Sequence, residues 1–407
     1  VVVSWPLLTR IYDVRVTRRT AFVVALAVVL GAAGVAIGAV ALRDGDRREA
    51  ATAVPDPAAC ERLESREARS CYISAFSTQV RGGDDPRLVV QQITNRAWET
   101  GGFLLPNCHG IMHTVAREYA RTASVTLASL MDYLPQTDDP GCPAGFAHGL
   151  VTAVAPEIDA AHPQDAAAVC ADAATRYQRY SCTHGFGHAF MRMHGGELEA
   201  ALDMCRALGA NEAADCGQGA FHDYWFAVIG VDDAKVAGEA VTSPRELCAG
   251  QAAEFVRPCW YRAFVDSRPE GFVVSSRSDF EELCSGLAGL QREGCITAAS
   301  VIGPPDPEIQ IGLCAELPLA DAESCIRGTK VQNLLGATIG EYVELARTCD
   351  LFRAERAACY RWLGKTISVV TDGAFGERGC PRLRDGRARR ACEAGARRVD
   401  DALVTFS

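Results

Sequence analysis

Six of the eight histidines fall into one repeated pattern. His109 and His113 lie four residues apart in "CHGIMH", and His184 and His188 four apart in "CTHGFGH". On a helix, positions i and i+4 share a face. Two imidazoles so placed can meet one metal ion, or one can ligate while the other orients a partner. Four blocks carry Gly-x-x-His: Gly110/His113, Gly145/His148, Gly185/His188 and Gly219/His222. Each block follows a cysteine, at Cys108, Cys142, Cys182 and Cys216. The pattern predicts equivalent positions near the starts of four consecutive helices. If those helices stack in order, His109, His113, His148, His184, His188 and His222 converge on one stripe or pocket. A packing role is the competing expectation: glycine permits close helix approach, and histidine at a helix start can bond a loop carbonyl. His162, beside Pro163, reads as a surface residue, and His194, before Gly195-Gly196, stands outside the pattern.

Imidazole ligands suit zinc or copper. Met112, Met191 and Met193 sit beside these histidines, and thioether would favour copper, though methionine also fills cores. There is no Cys-x-x-Cys-His, so haem would have to be held non-covalently, a less favoured reading than an ion. Glu118, five residues after His113, and Asp223, next to His222, are the candidate catalytic carboxylates: orienter, ligand or general base. Either also fits a solvated helix face. No His-Glu-x-x-His, Gly-x-Ser-x-Gly, P-loop or dinucleotide fingerprint is present. A metal-dependent hydrolase or oxidase is therefore an alternative without a motif of its own.

The elements that must position these residues are marked by cysteine. Cys60/Cys71, Cys205/Cys216, Cys248/Cys259, Cys284/Cys295 and Cys314/Cys325 share a spacing of 11. Cys170/Cys182, Cys349/Cys359 and Cys380/Cys392 are within one residue of it. Short apolar-periodic segments precede the first cysteines ("ALDMC", "PRELC", "FEELC"), and similar runs follow the second ("CWYRAFVDS", "CITAASVIG"). Ser243-Pro244 and Ser278-Asp279 are helix-start signals. Each unit reads as two antiparallel helices, with a disulfide from the last turn of one to the first turn of the next. Closing such a loop contributes on the order of 3 kcal/mol in the chain-entropy model. Cys108 and Cys142 break the spacing. Either they bond to each other, tying adjacent units, or they are free thiolates that join the histidines as soft ligands.

The fold expected is all-α: disulfide-pinned helical hairpin repeats, as an α-solenoid or a compact helical array. This architecture resembles the Cys-rich Sel1-like repeat proteins, although the spacing is wider and the consensus is not matched residue by residue. That resemblance implies a surface for a protein partner. The "CTHGFGH" and "CHGIMH" blocks also resemble ones in uncharacterised secreted or membrane-anchored bacterial proteins, which implies no activity. A disulfide-stapled interaction scaffold with structural histidines is thus the rival of metal binding.

With 407 residues and a net charge of −10, the chain does not suit a nucleic-acid partner. The uncharged run Ala21 to Leu42 is long enough to span a bilayer. All 18 cysteines follow it, a density that fits an oxidising compartment. The expected organisation is a cytoplasmic segment 1–20, a transmembrane signal-anchor helix 21–42 and a linker 43–59. His-bearing repeats 60–240 and His-free repeats 241–407 follow. The chain would then be a single-pass protein of the cell membrane with its C-terminal part extracytoplasmic. Cleavage after "AVA" at Ala39–Ala41, giving a secreted form, is the second choice.

Overall fold

The computed structural model describes residues 56–397, apart from 64, 84, 136–140, 160–161, 231–233, 268–271, 332–336 and 353–354. The expected membrane span and the segment before it lie outside the described residues. Among the described residues no helix is long and apolar enough to cross a membrane.

The described chain is all-helical, without a strand. After one turn of helix at Pro57–Cys60 come α1 (Ser65–Gly82), α2 (Pro86–Thr100), α3 (Leu104–Ala123) and α4 (Cys142–Val154). Helical pairs then follow one another. They are α5 (Gln164–Ala171) with α6 (Arg176–Met193), α7 (Leu198–Arg206) with α8 (Ala210–Val228), and α9 (Pro244–Ala249) with α10 (Ala253–Asp266). Next come α11 (Arg277–Leu283) with α12 (Gly289–Val301), and α13 (Pro307–Ala315) with α14 (Leu319–Arg327). The last are α15 (Ile339–Arg347), α16 (Arg356–Val370) and α17 (Gly386–Ala396). The second helices form the spine: α3, α4, α6, α8, α10, α12, α14, α16 and α17 pack in that order. The line curls, bringing α16 back against α6, so the array is compact.

All eight pairs expected from the spacing are disulfides, with Cα–Cα distances of 5.4–5.8 Å. In the histidine-bearing part Cys60 bonds to Cys71, Cys170 to Cys182 and Cys205 to Cys216. Beyond it Cys248 bonds to Cys259, Cys284 to Cys295 and Cys314 to Cys325. Cys349–Cys359 and Cys380–Cys392 close the series. Cys108 bonds to Cys142 across α3 and α4, at a Cα–Cα distance of 4.9 Å. No cysteine is free. The thiolate alternative for Cys108 and Cys142 therefore falls, and with it any soft sulfur ligand from cysteine.

The pairing is as expected, but the place of the second cysteine on its helix is not. In α6 the helix begins at Arg176, well before Cys182, with Thr175 accepting from the Gln178 N–H as cap. The same holds for α8, α10 and α12, which begin at Ala210, Ala253 and Gly289, ahead of Cys216, Cys259 and Cys295. Cys71, Cys325 and Cys392 repeat the offset, because α1 begins at Ser65, α14 at Leu319 and α17 at Gly386. All seven cysteines therefore stand in the second turn of their helices, not the first. Cys359 alone keeps the expected place, in the first turn of α16, which begins at Arg356. The polar Ala/Arg/Glu stretches between the paired cysteines supply the first turns of these helices. Such residues are good helix formers, and their polarity reflects an exposed face. The histidines after Cys182 and Cys216 consequently lie mid-helix, not at N-termini. Ser243 caps α9 as expected, while the cap of α11 is Ser276, in a reciprocal box with Asp279.

Candidate metal centre

The spine brings the six patterned histidines together. α3 supplies His109 and His113, α4 His148, α6 His184 and His188, and α8 His222. Their ring centroids are 4.6 Å apart for His148–His184, 4.9 Å for His113–His188 and 5.0 Å for His188–His222. His109 closes the cluster at 5.0 Å from His148 and 5.6 Å from His222. Five of the six are buried, and His109 is half-buried.

Glycine makes this convergence geometrically feasible. A Cβ on Gly145 would come closer than 3.0 Å to the His109 carbonyl oxygen, and one on Gly219 equally close to that of His184. These helices cross backbone on backbone, so imidazoles on adjacent helices need reach only a short way. The device is not confined to the histidine region: Gly294, Gly328, Gly364 and Gly395 meet backbone carbonyls of neighbouring helices in the same way. Close glycine crossings are thus the construction rule of the spine, and histidine is an addition to four of its members.

The ring nitrogens sort into two sets. One faces protein groups, on the following helix or, for His184, on its own. Ser181 Oγ on α6 lies 3.1 Å from His148 Nε2. Asp223 Oδ1 on α8 lies 3.2 Å from His188 Nδ1, and Asp266 Oδ1 on α10 lies 3.7 Å from His222 Nε2. Tyr180 Oη, one turn before His184 on α6, lies 3.3 Å from its Nδ1. The other set faces histidine. His113 Nε2 and His109 Nε2 are 3.2 Å apart, as are His188 Nε2 and His184 Nε2, and His222 Nδ1 is 3.5 Å from His184 Nε2. His148 Nδ1 is buried with no hydrogen-bond partner among the described residues. One nitrogen held by the protein and the other turned to the centre is the arrangement of metal-ligating histidine. Two groups have their ligand atoms within 4.8 Å of one another, His109/His113/His148 and His148/His184/His188, and each can hold a metal ion.

Burial holds these rings neutral. The pKa values of His113, His148, His184 and His222 lie well below the ordinary 6.5, first because burial penalises the cation. Neighbouring histidines and, for His222 above all, the Arg262 guanidinium add to the effect. His188 is lowered less far, because its bond to Asp223 favours the charged ring. Neutral imidazoles have the lone pair that a metal needs.

Of the two candidate carboxylates, only Asp223 belongs here. It is buried, bonded to His188, and held 3.1 Å from Arg192 Nη2. Glu118 lies elsewhere: it accepts from Ser77 Oγ on α1 and lies 3.8 Å from Arg81. Five residues past His113 is about 140° round the helix, so it faces away. Asp266 and its neighbour Arg262, 3.5 Å away, stand beside no histidine in the sequence. Both come from α10, beyond residue 240, so the boundary drawn there cuts through the centre. A signal for Asp266 exists: "AFVD" at Ala263–Asp266 repeats "AFHD" at Ala220–Asp223, in the same place after its cysteine. His162 is exposed and pairs with Asp159, as its position suggested, and His194 packs on Met204 Sδ at 2.8 Å, outside the cluster. Met112 and Met191 lie in the apolar core, with Met193 at its edge.

No family model matches this chain, and comparison with curated proteins and with solved structures finds no match. The centre must be judged on its own geometry, and Asp223 gives a direct handle. Its carboxylate can only accept, so it fixes the proton of His188 on Nδ1 and leaves the lone pair on Nε2. Asp223→Asn is expected to weaken zinc or copper binding about 10–100-fold with the fold retained. Competition titration against a chromophoric chelator measures this, and an unchanged affinity would show that Asp223 orients nothing.

Proposed function

We propose that the chain is a membrane-anchored, extracytoplasmic domain that binds a transition-metal ion through its buried histidine cluster. One observation carries this reading. Asp223 sets the N–H of His188 outward, so the lone pair of its Nε2 faces His184 Nε2, which His222 Nδ1 also approaches. One proton on His184 can answer only one of these two nitrogens. A cation answers all three. The nine disulfides support the extracytoplasmic placement, because so many persist only where the surroundings are oxidising.

The donors favour zinc or copper. They are imidazoles, with every cysteine bonded to another. Haem fits poorly: ring centroids 4.6–5.7 Å apart leave no slot for a macrocycle among the six. Asp223 and Asp266 supply negative charge behind the ligands, against Arg192 and Arg262. Both carboxylates approach histidine, which suits orientation of ligands rather than proton transfer to a substrate. His109, half-buried, marks the side from which an ion enters. The histidine-free helices beyond α10 supply the frame and the surface for a protein partner.

Elemental analysis of the purified full chain, stripped and reloaded with zinc or copper, tests the reading. At least one bound equivalent is expected. Less than about a tenth of an equivalent of any transition metal would overturn it and leave the histidines structural.

A further inference from the structure

The cluster contains the same unit twice. In the first, α3 carries an i, i+4 pair, His109 and His113, and α4 adds a single histidine, His148. In the second, α6 carries the pair His184 and His188, and α8 adds His222. The docking is the same in both: the glycine three residues before the single histidine, Gly145 or Gly219, crosses on the carbonyl of the first histidine of the pair, His109 or His184. Nε2 to Nε2 within each pair is 3.2 Å in both. A tetrahedral ion with nitrogens at about 2.0–2.1 Å sets its ligands about 3.3–3.4 Å apart. In the second unit His222 Nδ1 also lies 3.5 Å from His184 Nε2, close to that value.

We infer that the cluster is built for two metal ions, one on His109, His113 and His148 and the other on His184, His188 and His222. This rests on the metal-binding reading above. A single ion does not account for the layout. Each group whose ligand atoms close within 4.8 Å contains one i, i+4 pair and not both. His148 is within reach of either pair, which puts the two positions side by side. Its one inward lone pair serves one ion. With His184 and His188 it is His148, not His222, that closes within 4.8 Å, but the helix docking pairs His148 with the first unit, and His222, 3.5 Å from His184, is the nitrogen left to the second. Three neutral nitrogens leave each ion an open position, so neighbouring ions can share a small bridging ligand such as hydroxide.

The test uses the full chain, stripped of metal, reloaded with Cu(II) and freed of excess. Copper is counted by mass spectrometry and its spin by electron paramagnetic resonance. Two equivalents per chain are expected, with spin intensity far below the copper content or a half-field line, the signature of coupled neighbours. His113→Ala and His222→Ala are each expected to keep one equivalent, with full, isolated intensity. Saturation of the unaltered chain at one equivalent, or two equivalents that are magnetically isolated, overturns the pair while leaving metal binding intact. Less than about a tenth of an equivalent overturns both. The measurement on the unaltered chain decides the matter even where a variant fails to fold.

Discussion

Gly219→Ala is expected to be among the most damaging single-methyl changes in the chain, with a cost of about 3 kcal/mol or more. The added Cβ would meet the His184 carbonyl oxygen and carbon of α6, both closer than 3.0 Å. A side chain can rotate out of such a clash, but a backbone carbonyl inside a helix cannot. The two helices must separate, and overpacking of that kind ordinarily costs about 1–3 kcal/mol even when the neighbours are mobile. Here the separation also draws His222 away from His184 and Asp223 away from His188, since all lie across the same crossing. Stability and metal affinity should therefore fall together. Gly82→Ala is the control: nothing lies within 4 Å of its would-be Cβ, and it is expected to be near neutral. Thermal melting and metal titration of the two variants provide the comparison. A Gly219→Ala protein that melts and binds like the unaltered chain would show that the crossing is looser than drawn.

The same glycine explains what is and is not legible in the sequence. The cysteine spacing exposes the repeat because a disulfide demands a fixed separation within each unit. Eight pairs thus stand out without any knowledge of helix limits. The Gly-x-x-His blocks expose the cluster because glycine and histidine recur in phase with that repeat. The helix starts are misplaced because residues such as Arg176 and Glu212 look like a connection when only polarity is weighed. They are the outer face of a helix whose inner face begins earlier, which is why Cys71, Cys325 and Cys392 fall in a second turn. Glu118 is near His113 in sequence, yet rotation about the helix turns it towards Ser77. Asp266 escapes notice for the opposite reason. It follows no histidine of its own and completes one on the preceding helix of the spine, so only an alignment of the second helices brings it level with Asp223. For three of the histidines the neighbouring polar group lies one step further along: Ser181 for His148, Asp223 for His188, Asp266 for His222. That offset is a property of the stacking, and no single block of sequence contains it.

The metal-free chain is expected to lose stability steeply as the pH falls below about 6.5. The pKa values of His113, His148, His184 and His222 are held well below 6.5, and that of His188 is lowered, with burial the first cause in each. Above 6.5 these rings are neutral in both folded and unfolded chains and contribute no pH dependence. Below it the unfolded chain takes up protons that the folded chain refuses, so stability drops with acidification until the depressed values are reached. Each fully shifted histidine contributes a slope of about 1.4 kcal/mol per pH unit. Asp215 acts in the other direction. Burial raises its pKa from 3.8 to about 6 against the pull of Arg176, so it gains stability as the pH falls from about 6 towards 4. One carboxyl cannot offset five imidazoles. Several such slopes together match the whole stability of a typical domain, about 5–15 kcal/mol, within about two pH units. Bound metal should move the loss to lower pH, because it stabilises the folded chain by mass action until protons displace it. Melting of the disulfide-intact full chain between pH 7.5 and 5, with and without zinc, provides the measurement. A melting temperature that stays level in the metal-free chain down to pH 5 would mean that the rings accept protons where they sit, and that the centre is wetter than six packed imidazoles allow.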